Sequence, residues 1–190
     1  SLLPEEPEAL GLLALMLYAD ARRSARRDTR GDYVPLDRQD TALWDSGAIA
    51  EAEALLQAAG GKGKLGRYQL EAAIQSAHVV RRRTGGADWN AIEILYGALA
   101  TLTGSAVIAV NRAIAIAKTR GPAAGLAALD GVRGDPQLAD YQPYWAARAE
   151  MLALTGARAE ADRAYELAIG LESDPAVRRY LQGQRERLDG

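Results

Sequence analysis

Residues 143–171 read PYWAARAEMLALTGARAEADRAYELAIGL, and their apolar side chains recur at helical spacing on both sides of Gly156. The positions that carry this pattern are Trp145, Ala149 and Leu152 before the glycine, and Ala161, Tyr165 and Ala168 after it. Small residues allow two helices to approach closely, and large residues fill the groove between neighbouring helix pairs. The stretch therefore predicts two packed helices, at 143–154 and 157–171.

Two further glycines recur at the same interval along the chain. Gly86, Gly121 and Gly156 lie 35 residues apart, and each stands between two segments with helical periodicity. The earlier segments are 67–83 and 89–102, then 106–118 and 122–132. A helix–turn–helix unit that repeats about every 34 residues is typical of tetratricopeptide (TPR) solenoids. The letters of the first two units match that pattern only in outline.

The N-terminal third of the chain lacks this period. Helical spacing of Leu10, Leu13 and Leu17 predicts a first helix over 7–23, and Trp44 lies on the apolar face of a second, over 40–59. We therefore expect an all-α fold, an α–α superhelix of TPR-like helical hairpins with leading helices and a closing helix at 174–188. Residues 1–65 would form the leading region, and 66–190 the three repeats and the closing helix, in one continuous domain.

Composition argues against several function classes. The formal net charge is −2 and the pI is about 5.5, whereas a module that grips nucleic acid usually carries a basic excess. The chain has no cysteine, and its longest apolar run is about half a membrane span. We expect a cytoplasmic protein with no signal peptide, no membrane contact, no cofactor and no direct nucleic-acid contact by this segment.

Several stretches together resemble one known family. The most specific are 20–26 (DARRSAR), 68–74 (YQLEAAI) and the pair Asn111 and Arg112, and 7–17 (PEALGLLALML) adds to them. They resemble the C-terminal extension of a group of bacterial extracytoplasmic-function (ECF) RNA polymerase sigma factors. In that group, two promoter- and polymerase-binding domains precede a TPR-like domain of this kind. The resemblance runs from Pro4 to Leu188.

That resemblance implies a regulatory function. The domain would modulate transcription initiation by contacting the promoter- and polymerase-binding domains of its own sigma factor, and would reach core RNA polymerase through them. A free-standing TPR-like adaptor that binds a peptide or a partner protein is the alternative. Sigma-type domains encoded upstream would favour the first, and a start codon near Leu2 the second.

An arginine-rich segment is the first candidate interaction surface. Arg22, Arg23 and Arg26 follow Asp20 within the motif that carries the resemblance, and could contact an acidic partner. The alternative is a solvated helix end whose arginines favour the negative end of the helix dipole. Tyr68 and Gln69, from the second motif, belong to the same set of candidates.

Other polar residues suggest either a fixed polar core or a groove. Asp40, at i−4 from Trp44 in the second helix, could cap that helix or pair with an arginine. Asp20 could also pair with an arginine between helices, and such pairs would form the fixed polar core. Alternatively Asn111 and Arg112 line a concave groove for a peptide or a small ligand, because the inner helix of each TPR pair faces that groove.

His78 is the only histidine in the chain. A general base needs an acid or nucleophile partner, and the sequence offers no linked pattern of that kind. A metal site needs several converging ligands, and neither cysteine nor a second histidine exists. We therefore expect His78 to pack between helices or to anchor a hydrogen bond, and we do not expect an enzyme.

Overall fold

The computed structural model describes residues 6–188, and within them the fold is all-α, as predicted. Residues 1–5 and 189–190 lie outside the described residues, and so do Pro4, where the resemblance begins, and the outer ends of both predicted regions. The α-helices of residues 6–188 are α1 (Pro7–Ala21), α2 (Ser46–Gly60), α3 (Arg67–Val79), α4 (Arg81–Thr84), α5 (Trp89–Thr103), α6 (Ala106–Arg120), α7 (Pro122–Asp130), α8 (Gln142–Leu154), α9 (Arg158–Leu171) and α10 (Pro175–Glu186).

Most helix ends lie within two or three residues of the predicted ones, because local chemistry sets them. Pro7, Pro122 and Pro175 occupy the first turns of α1, α7 and α10, where a missing N–H costs nothing. The Asp174 carboxylate accepts a hydrogen bond from Ala176 N at 2.9 Å and so caps α10.

The predicted second helix begins later than expected. Asp40 accepts a hydrogen bond from Ala42 N and closes a 3₁₀ turn, Thr41–Leu43. Asp45 then accepts bonds from Gly47 N and Ala48 N, and α2 begins at Ser46. Two aspartates that each bond nearby backbone N–H groups favour capped turns over a continuous helix. The prediction that residues 40–59 form one helix was therefore wrong over residues 40–45.

The first repeat also differs in detail from its prediction. The segment 67–83 is divided, since α3 ends at Val79 and α4 is a separate short helix. The glycine in the left-handed region is Gly85, with φ +80°, and not Gly86. Gly121 (φ +93°) and Gly156 (φ +83°) adopt positive φ as a helix-ending glycine should.

The chain forms two compact units, each with its own helices. Unit 1 contains residues up to Asp28 and Val34–Thr103, and unit 2 contains Thr29–Tyr33 and the residues from Gly104 onward. Helices α1–α5 belong to unit 1, and α6–α10 to unit 2. The predicted division into a leading region, 1–65, and three TPR-like repeats with a closing helix, 66–190, stays a prediction.

In unit 1, α1 packs on α2 and α3, and α3 packs on α5. Tyr18, Trp44 and Ile49 belong to its buried core. Gly11 permits the close approach of α1 to the start of α3, because a Cβ there would lie 2.7 Å from Gln69 N. Helix α3 therefore lies between α1 and α5.

In unit 2, helices that follow one another in the chain pack pairwise: α6 on α7, α8 on α9, and α9 on α10. One core cluster includes Val110, Leu129 and Tyr144, and a second includes Leu152 and Tyr165. The helical hairpins predicted for this half are thus present.

Candidate interaction site

The start of α3 is capped by a side chain from α1. The Glu8 carboxylate accepts hydrogen bonds from Tyr68 N (3.1 Å) and Gln69 N (3.3 Å). The Gln69 amide is buried and donates to Lys64 O at 2.6 Å and to Glu8 Oε1 at 3.4 Å. Gly66, the N-cap residue of α3, has no side chain for this purpose. Tyr68 and Gln69 therefore fix α1 against α3.

Arg22 lies at the other end of α1, against α3. Its Nε donates to Tyr18 O at 3.3 Å, and its Nη2 donates to Gln75 Oε1 at 2.5 Å. Burial lowers the pKa of Arg22 to about 10, and the nearby charge of Arg26 contributes to the lowering. Among residues 6–188 no carboxylate forms an ion pair with this guanidinium, so its hydrogen-bond acceptors are neutral.

His78 lies beside Arg22 and is 9% exposed. Its ring contacts Trp89 edge to face, with ring centroids 5.3 Å apart. Burial, and after it the charge of Arg22, lowers the pKa of His78 to about 4. The imidazole makes no hydrogen bond to any of residues 6–188, and is held by packing.

Helix α5 supplies the opposite side of this cluster. Trp89 lies at its first turn and Tyr96 two turns later, and Tyr96 interacts electrostatically with Arg22. Because α3 lies between α1 and α5, side chains from the three helices converge over α3. We call this cluster the Arg22 site, and it consists of Arg22, Gln75, His78, Trp89 and Tyr96.

The other arginines of the motif take different surroundings. Arg23 Nη1 lies 4.0 Å from Asp20 Oδ1, and both side chains are mostly exposed. Arg26 Nη2 donates to Ala19 O at 2.8 Å, as a basic residue beyond a helix C-terminus often does. The polar core considered for Asp20 and Asp40 is absent within residues 6–188, because Asp20 pairs on the surface and Asp40 caps a turn.

Helix α1 also carries an apolar face that residues 6–188 leave exposed. It consists of Leu12, Leu13 and Met16, which are 38%, 44% and 59% exposed. A shallow open depression there is lined by Leu13 and Met16 together with Arg23 and Arg26. We call Leu12, Leu13 and Met16 the α1 apolar face.

The remaining candidates are not part of the Arg22 site. Trp44 is 3% exposed in the core of unit 1, and so offers no surface to a partner. Asn111, half-buried, and Arg112, exposed, lie on α6 in unit 2. Neither side chain makes a hydrogen bond or an ion pair with any of residues 6–188.

The sequence analysis did not single out Gln75, Trp89 or Tyr96 as candidate site residues. Gln75 directly follows the 68–74 motif and precedes His78 by one helical turn, which was the available signal. In the part of the chain that the structure describes, no group of three or more His, Cys, Asp or Glu side chains is placed to bind a metal. No helix found there has the length and apolar character of a membrane span.

The chain matches a family model over its N-terminal part and a known protein over nearly all of its length. Residues 1–60 match a family model described as a family of unknown function (DUF6596). An uncharacterized protein of Rhizobium meliloti (strain 1021) is 37% identical over 187 residues. The alignment covers 98% of this chain but 44% of that relative, so the chain spans less than half the relative's length. No solved structure matches the chain.

Proposed function

We propose that this chain is the regulatory domain of an ECF-type RNA polymerase sigma factor, which modulates transcription initiation through contacts with its promoter- and polymerase-binding domains. The observation that carries the proposal is the arrangement of α1. Its apolar face is exposed next to Arg23, and lies in the stretch 7–17, which contributes to the resemblance to the sigma-factor extension. An exposed apolar patch bordered by charge is typical of a protein–protein contact surface.

The comparisons are compatible with a domain of a larger protein. The relative is more than twice as long as the segment that this chain matches, which leaves room in that protein for further domains. The family match at residues 1–60 includes the whole of α1. A domain of this kind would contact core polymerase only through the sigma domains, and would not itself touch DNA.

Regulation by this domain requires two arrangements that differ in their contacts. A partner that packs on the α1 apolar face in one arrangement and not in the other shifts the equilibrium by that difference in binding free energy. The sigma domains would then be held either in a polymerase-competent or in an incompetent arrangement.

Transcription in vitro tests the proposal. The complete gene product is combined with core polymerase, with and without the segment from Pro4 onward, on a promoter that it recognises. We expect removal of the segment to change the amount of specific transcript, and the sign of the change identifies an activator or a brake. An unchanged transcript, or an absence of sigma-type domains in the gene product, would contradict the proposal.

A paired substitution locates the effect. The double variant Leu13→Ser with Met16→Ser is expected to reproduce the effect of removing the segment, because it makes the α1 apolar face polar. The control is Leu167→Ser with Leu171→Ser on α9, where two leucines are exposed to a similar degree (45% and 37%). An equal effect of both double variants would argue against α1 as the contact surface.

A peptide-binding adaptor is the second candidate, and one observation favours it. Asn111 lies half-buried on α6 without a hydrogen bond to any of residues 6–188, so its amide is available to a bound backbone. An adaptor role predicts that Asn111→Ala weakens binding of a partner peptide and leaves sigma-dependent transcription unchanged.

A further inference from the structure

Arg22 is a largely buried cation without an acidic partner. Its hydrogen bonds go to the Tyr18 carbonyl and to the Gln75 amide oxygen, and the charge that affects its pKa most is that of another cation, Arg26, ahead of Tyr96. Burying an unpaired charge is costly, and buried cations are normally paired with carboxylates. The neutral acceptors around Arg22 leave its positive charge uncompensated by the described residues.

His78 provides a second, independent sign of an unfilled site. It is nine-tenths buried next to Arg22, yet its ring nitrogens have no hydrogen-bond partner among residues 6–188. Arg22, Gln75, Trp89 and Tyr96 are each partly exposed, so the cluster reaches solvent. A group entering over α3 would therefore meet a guanidinium, an imidazole and two aromatic rings.

We propose that the Arg22 site binds a carboxylate group, with the Arg22 guanidinium as its anchor. A guanidinium presents parallel N–H donors that match the two oxygens of a carboxylate. The Trp89 ring and the imidazole of His78 would shield that pair from water, and shielding strengthens it. The carboxylate comes either from a small organic acid or from a Glu or Asp side chain of a partner.

A carboxylate suits the site better than a phosphate does. A phosphate monoester carries up to two negative charges and three acceptor oxygens, and protein sites for it usually add backbone N–H groups or several cations. The Arg22 site supplies one guanidinium from within the cluster, while Arg26 bonds to Ala19 O. This assignment goes beyond the regulatory function, because the cluster would bind an acid in any protein that contains unit 1.

Nuclear magnetic resonance on the 190-residue chain tests the proposal directly. His78 is the only histidine, so its ring signals need no assignment. The His78 ring and arginine Nε–H signals are followed during titration with sodium acetate, at constant ionic strength set by sodium chloride and at constant pH. We expect saturable shifts with acetate and none with acetamide, which has the same shape without the charge.

Two variants of equal charge separate the anchor from the general basic surface. Arg22→Gln is expected to weaken acetate binding by about tenfold or more, as the loss of a charge-assisted hydrogen bond would. Arg23→Gln removes a neighbouring exposed charge and should change the affinity by less than about twofold. Should Arg22→Gln fail to fold, Arg22→Lys keeps the charge without the planar donors, and should bind acetate more weakly than the unsubstituted chain.

A titration with peptides identifies the source of the carboxylate. An amphipathic peptide with one central Glu is compared with its Gln counterpart and with acetate. Tighter binding of the Glu peptide than of acetate assigns the site to a partner's side chain, and no gain over acetate assigns it to a small acid. Non-saturable shifts, equal losses in the Arg22 and Arg23 variants, or tighter binding of inorganic phosphate than of acetate would each overturn the proposal.

Discussion

The environment of His78 has a consequence for stability that a pH series can detect. Its pKa is lowered to about 4 in the folded chain, against an ordinary value of 6.5, mainly because the charged ring would be buried. Between pH 6.5 and about pH 4, the His78 ring therefore binds a proton in the unfolded chain and stays neutral in the folded chain. The stability contributed by the neutral ring is complete above pH 6.5 and is lost as the pH falls towards 4.

For the wild-type chain, this linkage predicts a loss of on the order of 3 kcal/mol in the free energy of unfolding across that window. Urea unfolding at about pH 7 and about pH 4.5 measures it, with His78→Gln as the comparison. The variant should lose less stability than the wild type over the same interval, since carboxylates titrate equally in both. Parallel losses in the two proteins would contradict the role of His78.

Glu8 is a residue of α1 whose side chain caps the start of α3. It lies in the first turn of α1, where an acid favours the positive end of that helix. Its carboxylate nevertheless accepts bonds from two N–H groups at the start of α3 and from the Gln69 amide. Glu8 thus replaces the capping side chain that Gly66 lacks.

Glu8→Ala is expected to lower the free energy of unfolding by about 1–2 kcal/mol, because buried donors at the α3 N-terminus lose their acceptor. Chemical denaturation measures the change. Glu6→Ala is the matched control, because Glu6 is exposed and makes no side-chain capping bond at α1. Equal stability of the two variants would show that the hydrogen bonds between Glu8 and the start of α3 do not contribute to the free energy of unfolding.

At the scale of elements, glycine determines how closely α6 and α7 pack. A Cβ on Gly125 would lie 2.5 Å from Ala117 Cβ, 2.9 Å from Ala113 O and 3.0 Å from Met151 Sδ. Two of those atoms are not ends of flexible side chains, so they cannot move away without moving the helix. The close approach therefore depends on the absence of a side chain at position 125.

Gly125→Ala should destabilise unit 2 by about 1–3 kcal/mol, as overpacking does in other cores. Gly183→Ala on α10 provides the opposite expectation, because a Cβ there meets nothing within 4 Å. In that variant the higher helix propensity of alanine should raise stability by about 0.5–1 kcal/mol. Thermal unfolding of both variants measures the changes, and a shift of the same sign in both would refute this account of the packing.

At the scale of the whole molecule, each unit has a core of its own. Ile49 belongs to the buried cluster of unit 1, and Leu129 to a buried cluster of unit 2. Truncating a buried Ile or Leu to Ala costs about 2–5 kcal/mol through lost contacts and a residual cavity. Because the cores are separate, such a truncation is expected to destabilise the unit that contains it and not the other unit.

Hydrogen exchange followed by mass spectrometry can locate the cost. Ile49→Ala is expected to speed exchange mainly in α1–α3 and α5, and Leu129→Ala mainly in α6–α9. Each variant acts as the control for the other, because both remove a large aliphatic side chain from a core. Faster exchange over the entire chain in both variants would show that the two units unfold as one.

The amino-acid sequence by itself determined the helices and most of their ends. Apolar spacing, first-turn prolines and left-handed glycines act within one or two helical turns, so they can be read without knowing the neighbours. The Asp40 and Asp45 carboxylates accept hydrogen bonds from backbone N–H groups two or three residues later, so even the late start of α2 depends on neighbouring residues alone. The same spacing predicted the hairpin of 143–154 with 157–171, now α8 and α9.

Only the tertiary structure decided which side of α1 each arginine takes and what it meets there. Arg22 and Arg23 are adjacent letters of one motif, yet one is buried against Gln75 and the other is exposed beside Asp20. The cap from Glu8 to Tyr68 and Gln69 likewise joins residues 60 and 61 positions apart. Such contacts depend on how α1 crosses α3, and the close approach at Gly11 sets that crossing by steric fit, which helical periodicity does not encode.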